Sequence, residues 1–306
     1  MLLNIPLKIG TRDSKLALWQ AEEVKSRLES QGIKCELVAV KSPGDIDLTT
    51  PLHQFGTTGI FTKILDDALY ANQIDIAVHS LKDYPTQSPE GLTIPAVLER
   101  GPHQDILVHN GDISFLNNGN EATVATGSIR RIAQWKGKFS NHTTTNLRGN
   151  VQTRLRKLEE NGWHGAIFAK AGLYRVNILP QNHIVLDWMI PAPAQGVIAI
   201  GCRQKDQRII ELLSKINHQE TFLTSTIERE FLRTVEGGCS APVGALALID
   251  GDNITLKAGV FELDGSNQVV VEKTVSLQNA QGLGKAAAIE VLQKGGKEIM
   301  EKIKHA

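Results

Sequence analysis

Short apolar runs alternate with stretches of helical periodicity over about the first 200 residues of this 306-residue chain. This alternation limits the possible folds more than any other feature. Leu7 to Gly10 is typical of a strand, and Ser14 then stands where the N-cap of a helix is expected. The same pattern starts again near Ile106 to Val108. Because strands that alternate with helices form parallel sheets covered by helices, the pattern predicts an α/β fold with two such units in tandem.

The last third of the chain has a different pattern. A helical stretch near residues 220–235 is followed by three strand-like runs, joined by Gly-Asp-Asn and Asp-Gly turns. This order predicts a small α+β domain with a three-stranded antiparallel sheet. Because 306 residues exceed what one core usually organises, we expect three domains. Domain 1 would comprise residues 1–99 and 200–217, domain 2 residues 100–199, and domain 3 residues 218–306.

The overall charge of the chain is balanced, with 33 Lys and Arg residues against 33 Asp and Glu residues. A formal net charge of zero argues against a general nucleic-acid or membrane-surface binder. No apolar run reaches the roughly 18 residues that a membrane span needs, and no signal-peptide pattern is seen. Three widely spaced cysteines indicate neither a disulfide framework nor a metal site. We therefore expect a reduced, cytoplasmic protein, monomeric by default.

The charge is not evenly spread along the chain. Between residues 122 and 158 there is no acidic residue, yet eight residues are Lys or Arg. Four of them lie near predicted strand-to-helix turns: Arg130, Arg131, Arg148 and Arg154. The other four fit a solvated helix face. Arginine is the preferred bidentate partner of carboxylates, so the first four predict a site for an anionic partner.

Two further polar clusters follow predicted strands. Arg12 and Ser14 open the first helix, where a helix start can hold a carboxylate or phosphate or can simply be capped. Lys82 and Asp83 follow a strand that ends near Val78. They are either a surface ion pair or a site in which Asp83 stabilises a cation or moves a proton. Both clusters stand where α/β folds place their ligand sites, at the ends of strands and between domains.

One cysteine lies in a loop that leaves room around its thiol. Cys239 follows two glycines in the segment EGGCSAP, whereas Cys35 and Cys202 lie in apolar, strand-like runs. A Gly-Gly-Cys segment is either an ordinary tight turn or a place for something bulky beside the sulfur. The sequence therefore indicates Cys239 as a candidate for attachment or for nucleophilic attack.

Seven motifs occur in the order found in one enzyme family. They are TRDSKLALWQ, AVHSLKDYPT, TGSIRRIAQ, NLRGNVQTRLRKL, AKAGLYR, PAPAQG and EGGCSAP. On these motifs the chain resembles the hydroxymethylbilane synthase family, also called porphobilinogen deaminase, over essentially its whole length. The resemblance implies two periplasmic-binding-protein-like α/β domains plus a small C-terminal α+β domain. It implies a transferase that joins four porphobilinogen molecules head to tail into linear hydroxymethylbilane with release of ammonia, in tetrapyrrole and haem biosynthesis.

The same resemblance implies a covalent cofactor and the residues around it. Cys239 would hold a dipyrromethane through a thioether, and Asp83 would be catalytic, a buried carboxylate that stabilises a cation and helps remove a proton. The implied cofactor-binding residues are Cys239, Lys82, Asp83, Ser128, Arg130, Arg131, Arg148 and Arg154. The implied substrate-binding residues are Arg12, Ser14, Gln20, Arg148, Arg154, Arg175 and Gln195. The partner would be porphobilinogen, with no nucleic acid, membrane or metal involved.

The chain departs from the family pattern at a few loop positions. Gln54 and Thr58 replace lysines, Ile64 replaces an acidic residue, and Ala194 replaces a glycine. One alternative is therefore an impaired member of the family. A second is a non-catalytic two-domain protein that closes on an anion, and a third is a transferase in which Cys239 forms a thioester. A solute binder needs neither the Gly-Gly-Cys loop nor Asp83, and no histidine partner for the thiol is obvious in the sequence.

Overall fold

The computed structural model describes residues 5–40, 60–117, 119–236 and 241–304. The chain forms two compact units. The described part of the first unit is residues 5–40, 60–101 and 196–223. The described part of the second unit is residues 102–117, 119–195, 224–236 and 241–304. The second unit thus contains residues of both expected domains 2 and 3, and the division into three domains stays a prediction.

Within the described residues the chain forms thirteen strands and nine α-helices. The strands are β1 (Leu7–Arg12), β2 (Cys35–Val40), β3 (Ile76–Ser80), β4 (Leu92–Val97), β5 (Asp105–His109), β6 (Ala122–Ala125), β7 (His142–Thr145), β8 (Gly165–Ala169), β9 (His183–Val185), β10 (Ile198–Arg203), β11 (Val243–Asp250), β12 (Asn253–Phe261) and β13 (Gln268–Ser276). The helices are α1 (Lys15–Glu29), α2 (Ile60–Tyr70), α3 (Ile129–Lys138), α4 (Val151–Glu160), α5 (Lys170–Arg175), α6 (Gln207–Ser214), α7 (Gln219–Thr234), α8 (Leu283–Val291) and α9 (Lys297–Lys304). The α/β alternation predicted from the sequence is confirmed.

The first unit contains a mixed five-stranded sheet with the order β2-β1-β3-β10-β4. β1 pairs in parallel with β2 and β3, and Val24 and Leu28 of α1 pack with Ile9 and Ile76 in the core. β10 runs antiparallel to both β3 and β4. The sequence analysis predicted parallel sheets, which β1 to β3 form, and β10 departs from that prediction. β10 joins the sheet from a distant part of the chain rather than through a crossover helix, so nothing imposes the parallel direction.

The second unit repeats this arrangement in the order β7-β6-β8-β5-β9. β6 is parallel to β7 and β8, and β5 is antiparallel to β8 and β9. Trp135 of α3 is fully buried with Leu107, Val124 and Ile167 in the core beneath this sheet. Because carboxyl ends of neighbouring parallel strands meet at one edge, the segments after β6, β7 and β8 lie together.

The C-terminal part of the second unit is a three-stranded antiparallel sheet in the order β11-β12-β13, as predicted. The buried residues of α8 include Ala287, Ala288 and Val291, and the helix packs on β12 and β13. Among the described residues, no helix combines the length and apolarity that crossing a membrane would require.

The turn between β12 and β13 packs closely against α3. Gly265 has a φ of +79°, and a Cβ on this residue would overlap Gly137 of α3. Ala133 of α3, Ile190 and Phe261 form a small buried cluster beside this contact. The helix whose first turn carries Arg130 and Arg131 is therefore fixed against the C-terminal sheet.

We predict that Gly265→Ala destabilises the protein much more than Gly251→Ala. Gly251 lies in the β11–β12 turn with a φ of +56°, and a Cβ on this residue would meet nothing within 4 Å. Its replacement should cost only the left-handed backbone strain, about 1 kcal/mol, whereas Gly265→Ala adds a clash with α3 and should cost about 3 kcal/mol in total. Denaturant unfolding measures both, and equal costs would contradict the packing described here.

Candidate functional site

The first unit gathers predicted site residues at the carboxyl ends of β1 and β3. Arg12 ends β1 and is half-buried, and the Ser14 hydroxyl caps α1 by accepting the Ala17 N–H at 3.3 Å. Gln20 is buried on α1, and its Nε2 donates to the Ser80 hydroxyl at 3.0 Å. Because β1 and β3 are parallel neighbours, their ends and the start of α1 form one polar edge.

A short 3₁₀ turn, Leu81–Asp83, follows β3. It buries Leu81, whose N–H donates to the Val197 carbonyl at 3.0 Å, and leaves Lys82 half-buried. Asp83 is exposed in the chain by itself, whereas the sequence analysis expected a buried carboxylate. The turn explains the difference, because it directs Leu81 inward and places Asp83 outside the core.

His79 lies under this polar edge. It is 5% exposed and its ring lies 5.0 Å from that of Tyr84. Burial, and secondarily the positive charge of Arg12, lower the pKa of His79 to about 3. His79 is therefore neutral near pH 7 and does not add a second positive charge beside Arg12.

The second unit has several of its predicted residues in the segments that follow β6, β7 and β8. Ser128 stands at the N-cap position of α3 but its side chain makes no capping hydrogen bond. Arg148 follows β7 and is buried, and the Nε of Arg154 donates to the Gly149 carbonyl at 2.7 Å. Arg175 ends α5 and is 9% exposed. Arg148, Arg154 and Arg175 add guanidinium groups to this unit, and their binding of an anionic partner stays a prediction.

A buried carboxylate that the sequence analysis did not select lies beside α3. Asp105 is fully buried at the start of β5. Its Oδ2 accepts from Arg130 Nη1 at 2.7 Å, and its Oδ1 accepts from Arg131 Nη2 at 2.7 Å and Nε at 3.1 Å. Gln195 Nε2 also donates to Oδ1, at 2.9 Å. The one available signal was an aspartate opening an apolar strand, in Asp105-Ile106-Leu107-Val108.

The charges around Asp105 do not cancel. Burial by itself raises the pKa of Asp105, but the guanidiniums of Arg130 and Arg131 outweigh it and hold the pKa well below its usual range. One carboxylate therefore faces two buried guanidiniums, which leaves a local surplus of one positive charge. A buried surplus of this kind is stabilised when an anion binds beside it.

Arg130 and Arg131 differ in the number of guanidinium N–H groups that remain available to a ligand. Arg131 uses all three guanidinium nitrogens, since its Nη1 also donates to the Ile167 carbonyl at 3.0 Å. Arg130 uses Nη1 for Asp105 and for the Ile190 carbonyl, at 2.7 Å each. Its Nε and Nη2 make no hydrogen bond to any residue that the structure describes. Arg130 is therefore the better placed of the two to take a carboxylate, with Arg131 holding Asp105.

Some predicted positions have no structural description. Cys239, Gln54 and Thr58 lie outside the described residues. Ile64 packs, half-buried, against the core of the first unit. Ala194 is fully buried with a φ of +62°, a conformation that glycine adopts without strain. No group of three or more potential metal ligands occurs in the described parts of the chain.

Comparisons with known proteins identify relatives along nearly the whole chain. Residues 7–211 match the family model described as porphobilinogen deaminase, dipyromethane cofactor binding domain, and residues 222–293 match porphobilinogen deaminase, C-terminal domain. The porphobilinogen deaminase of Syntrophomonas wolfei is 39% identical over 96% of this chain and 97% of its own length. The Campylobacter concisus porphobilinogen deaminase is 40% identical over 97% of both chains. The probable porphobilinogen deaminase of Methanocaldococcus jannaschii is 42% identical over 93% of this chain and 99% of its own.

We predict that Asp105→Asn destabilises the protein by about 3 to 5 kcal/mol, because it leaves two buried guanidiniums without a counter-charge. Denaturant unfolding measures this cost. The control is Glu272→Gln, which removes a carboxylate from an exposed pair with Lys257 and should change the stability little. Equal effects of the two substitutions would show that Asp105 does not balance buried charge.

We also predict that acid weakens the folded state through His79. The unfolded pKa is 6.5 and the folded pKa is about 3, so the unfolded chain binds the proton more tightly. The stabilisation is complete above pH 6.5 and is lost as the pH falls towards 3; at pH 4 the loss is about 3 kcal/mol. Unfolding free energies of the native protein and of His79→Gln, measured from pH 7.5 to 4, isolate this contribution. Parallel pH dependences would contradict it.

Proposed function

This chain belongs to the porphobilinogen deaminase family, and from that membership we propose which of its residues hold the cofactor, which bind the substrate and which one is catalytic. It is a transferase, a hydroxymethylbilane synthase of tetrapyrrole biosynthesis, which joins porphobilinogen molecules into linear hydroxymethylbilane and releases ammonia. Each unit presents polar side chains at the carboxyl ends of parallel strands. This shared placement is the observation that carries our assignment of the residues.

The residues of the second unit fit a dipyrromethane cofactor. A dipyrromethane of this kind carries an acetate and a propionate on each ring, so it needs several cationic partners and no metal. Arg130 offers Nε and Nη2 beside a buried surplus of positive charge, and Ser128 presents a hydroxyl that does not cap its helix. When bound, the dipyrromethane supplies the pyrrole carbon to which the first substrate unit is joined. The proposed holding residues are Cys239 through a thioether, Lys82, Asp83, Ser128, Arg130, Arg131, Arg148 and Arg154.

Substrate recognition rests on pairing guanidiniums with carboxylates. Arg148 and Arg175 are buried in the second unit, and Arg12 is half-buried at the end of β1 in the first. A buried guanidinium pairs strongly and in two-point fashion with a carboxylate, which fixes both the position and the orientation of a pyrrole. The proposed substrate-binding residues are Arg12, Ser14, Gln20, Arg148, Arg154, Arg175 and Gln195.

Asp83 is the proposed catalytic residue. Loss of ammonia from porphobilinogen leaves an electron-poor cation, which a nearby carboxylate stabilises before it helps to remove the proton from the attacked ring. Exposure in the chain by itself keeps the Asp83 carboxylate hydrated. A pyrrole that covers Asp83 removes this water and strengthens the attraction between carboxylate and cation. The neutral state of His79 keeps a competing positive charge away from this region.

Other features of the enzyme remain proposals of the same kind. We propose that the enzyme binds neither nucleic acid nor membrane, on the basis of the balanced charge of the chain. We propose a cytoplasmic location from its few, widely spaced cysteines, and a monomer as the default. An impaired member of the family is the main alternative, motivated by Gln54, Thr58 and Ala194. A turnover measurement separates the two, because an impaired member would carry the cofactor yet form bilane slowly.

We predict that intact mass spectrometry of the purified protein shows an added mass of two pyrrole units that maps to Cys239. Cys239→Ser should lack this adduct, and Cys35→Ser should keep it, because Cys35 is a strand residue whose pKa burial raises to about 11. Asp83→Asn should retain the adduct and lose nearly all formation of bilane.

Each outcome has a distinct meaning for the proposal. A clean unmodified mass after expression with sufficient porphobilinogen would overturn the attachment at Cys239. Normal bilane formation by Asp83→Asn would remove Asp83 from the mechanism and leave the family assignment intact.

A further inference from the structure

Glu228 is a fully buried carboxylate for which the proposed mechanism has no role. It lies on α7, and both of its oxygens accept backbone hydrogen bonds. Oε2 accepts the Ala194 N–H at 2.6 Å, and Oε1 accepts the Ala247 N–H at 2.7 Å. One side chain thus joins three segments of the second unit: α7, strand β11 and the turn that contains Ala194.

The turn that Glu228 holds has a strained backbone. The Gln195 N–H donates to the Ala192 carbonyl at 2.9 Å, which closes a β-turn with Pro193 second and Ala194 third. Proline at the second position and a positive φ at the third are the signature of a type II turn, and the third position favours glycine. Ala194 adopts a φ of +62° there. An L-residue in this conformation persists only when its surroundings hold it.

The next residue of the turn reaches the charged centre of the site. Gln195 is 1% exposed, and its Nε2 donates to Asp105 Oδ1 at 2.9 Å and to the His103 carbonyl at 2.8 Å. Asp105 in turn orients Arg130 and Arg131. Hydrogen bonds and the backbone of the Ala194 turn therefore connect Glu228, through Gln195 and Asp105, to the two guanidiniums.

We infer that Glu228 is a positioning residue for this reaction: by holding the strained Ala194 turn, it fixes Gln195 on Asp105 and so aims the guanidinium of Arg130. The inference rests on the proposed function of Arg130 in holding the cofactor. Glutamine cannot take over, because its amide nitrogen is a donor and would face one of the two backbone N–H groups. Because Arg130 and Arg131 are proposed to hold the resident group, kcat should fall. Because Gln195 is itself a proposed substrate-binding residue, any rise in KM should be no larger than that of Gln195→Ala.

The first experiment compares Glu228→Gln with the native enzyme, and kcat is expressed per molecule that carries the two-pyrrole adduct. We expect kcat to fall about tenfold or more, with KM no higher than that of Gln195→Ala. The control is Glu230→Gln, which removes a carboxylate of the same helix that lies beside Gly284 of α8 and should leave kcat unchanged. A Glu228→Gln enzyme with lower thermal stability but normal kcat would overturn the inference, since Glu228 would then only stabilise the fold.

A double-mutant cycle with Gln195→Ala tests the route. If Glu228 acts through Gln195, Glu228→Gln should cost little further kcat in the Gln195→Ala enzyme, because the connection to Asp105 is already broken. If the fold losses in kcat of the two single variants multiply in the double variant, this route is excluded and the inference is overturned.

Ala194→Gly keeps the test decisive if Glu228→Gln does not fold. Glycine accepts the positive φ without strain, so Glu228→Gln combined with Ala194→Gly should fold and recover most of the native kcat. A combined variant that folds and retains the full loss of kcat would contradict the role of the strained turn. The native enzyme serves as reference throughout: if it forms no bilane, the proposed function fails, whereas normal bilane formation with an unaffected Glu228→Gln rejects this inference alone.

Discussion

One buried carboxylate determines how the second unit can use its arginines. Without Asp105, the guanidiniums of Arg130 and Arg131 would repel each other while buried, and the first turn of α3 would be destabilised. With Asp105 present, the pair is anchored but not neutralised. The unit therefore folds with one buried positive charge that Asp105 does not balance. Under the proposed function, stability and recognition depend on the same three side chains.

The surroundings of Asp105 show how an α/β scaffold holds such a centre. Strand β5 supplies the aspartate, the first turn of α3 supplies both arginines, and the turn after Pro193 supplies Gln195. Two of these segments are themselves held by contacts outside the site. The β12–β13 turn packs on α3 at Gly265, and Glu228 accepts a hydrogen bond from the Ala194 turn. The C-terminal sheet therefore helps to position the residues around Asp105. This contribution is separate from the proposed role of Cys239, which precedes the sheet in the sequence.

The sequence allowed much of this to be predicted, and its failures have physical causes. Strands and helices were placed well because apolar periodicity follows directly from which face is buried. The direction of β10 and β5 could not be read from periodicity, because a strand looks the same whichever way its neighbours run. Arg130 and Arg148 were selected by type and position and Arg175 by the family resemblance, but their burial depends on long-range packing. Asp105 was missed because its partners lie 25, 26 and 90 positions away along the chain. Asp83 was expected to be buried because the family resemblance implies a buried catalytic carboxylate. In the structure, a 3₁₀ turn leaves its side chain exposed.

The placement of β10 between β3 and β4 also has a consequence for how the chain is made. β10 begins at Ile198, whereas every strand of the five-stranded sheet in the second unit lies between Asp105 and Val185. During synthesis, all five strands of the second unit's sheet are therefore available before β10, which completes the sheet of the first unit, has been made. β3 and β4 must wait, with hydrogen-bonding edges uncovered, for about a hundred further residues to leave the ribosome. The sheet that begins first on the ribosome is therefore the one that can be completed last.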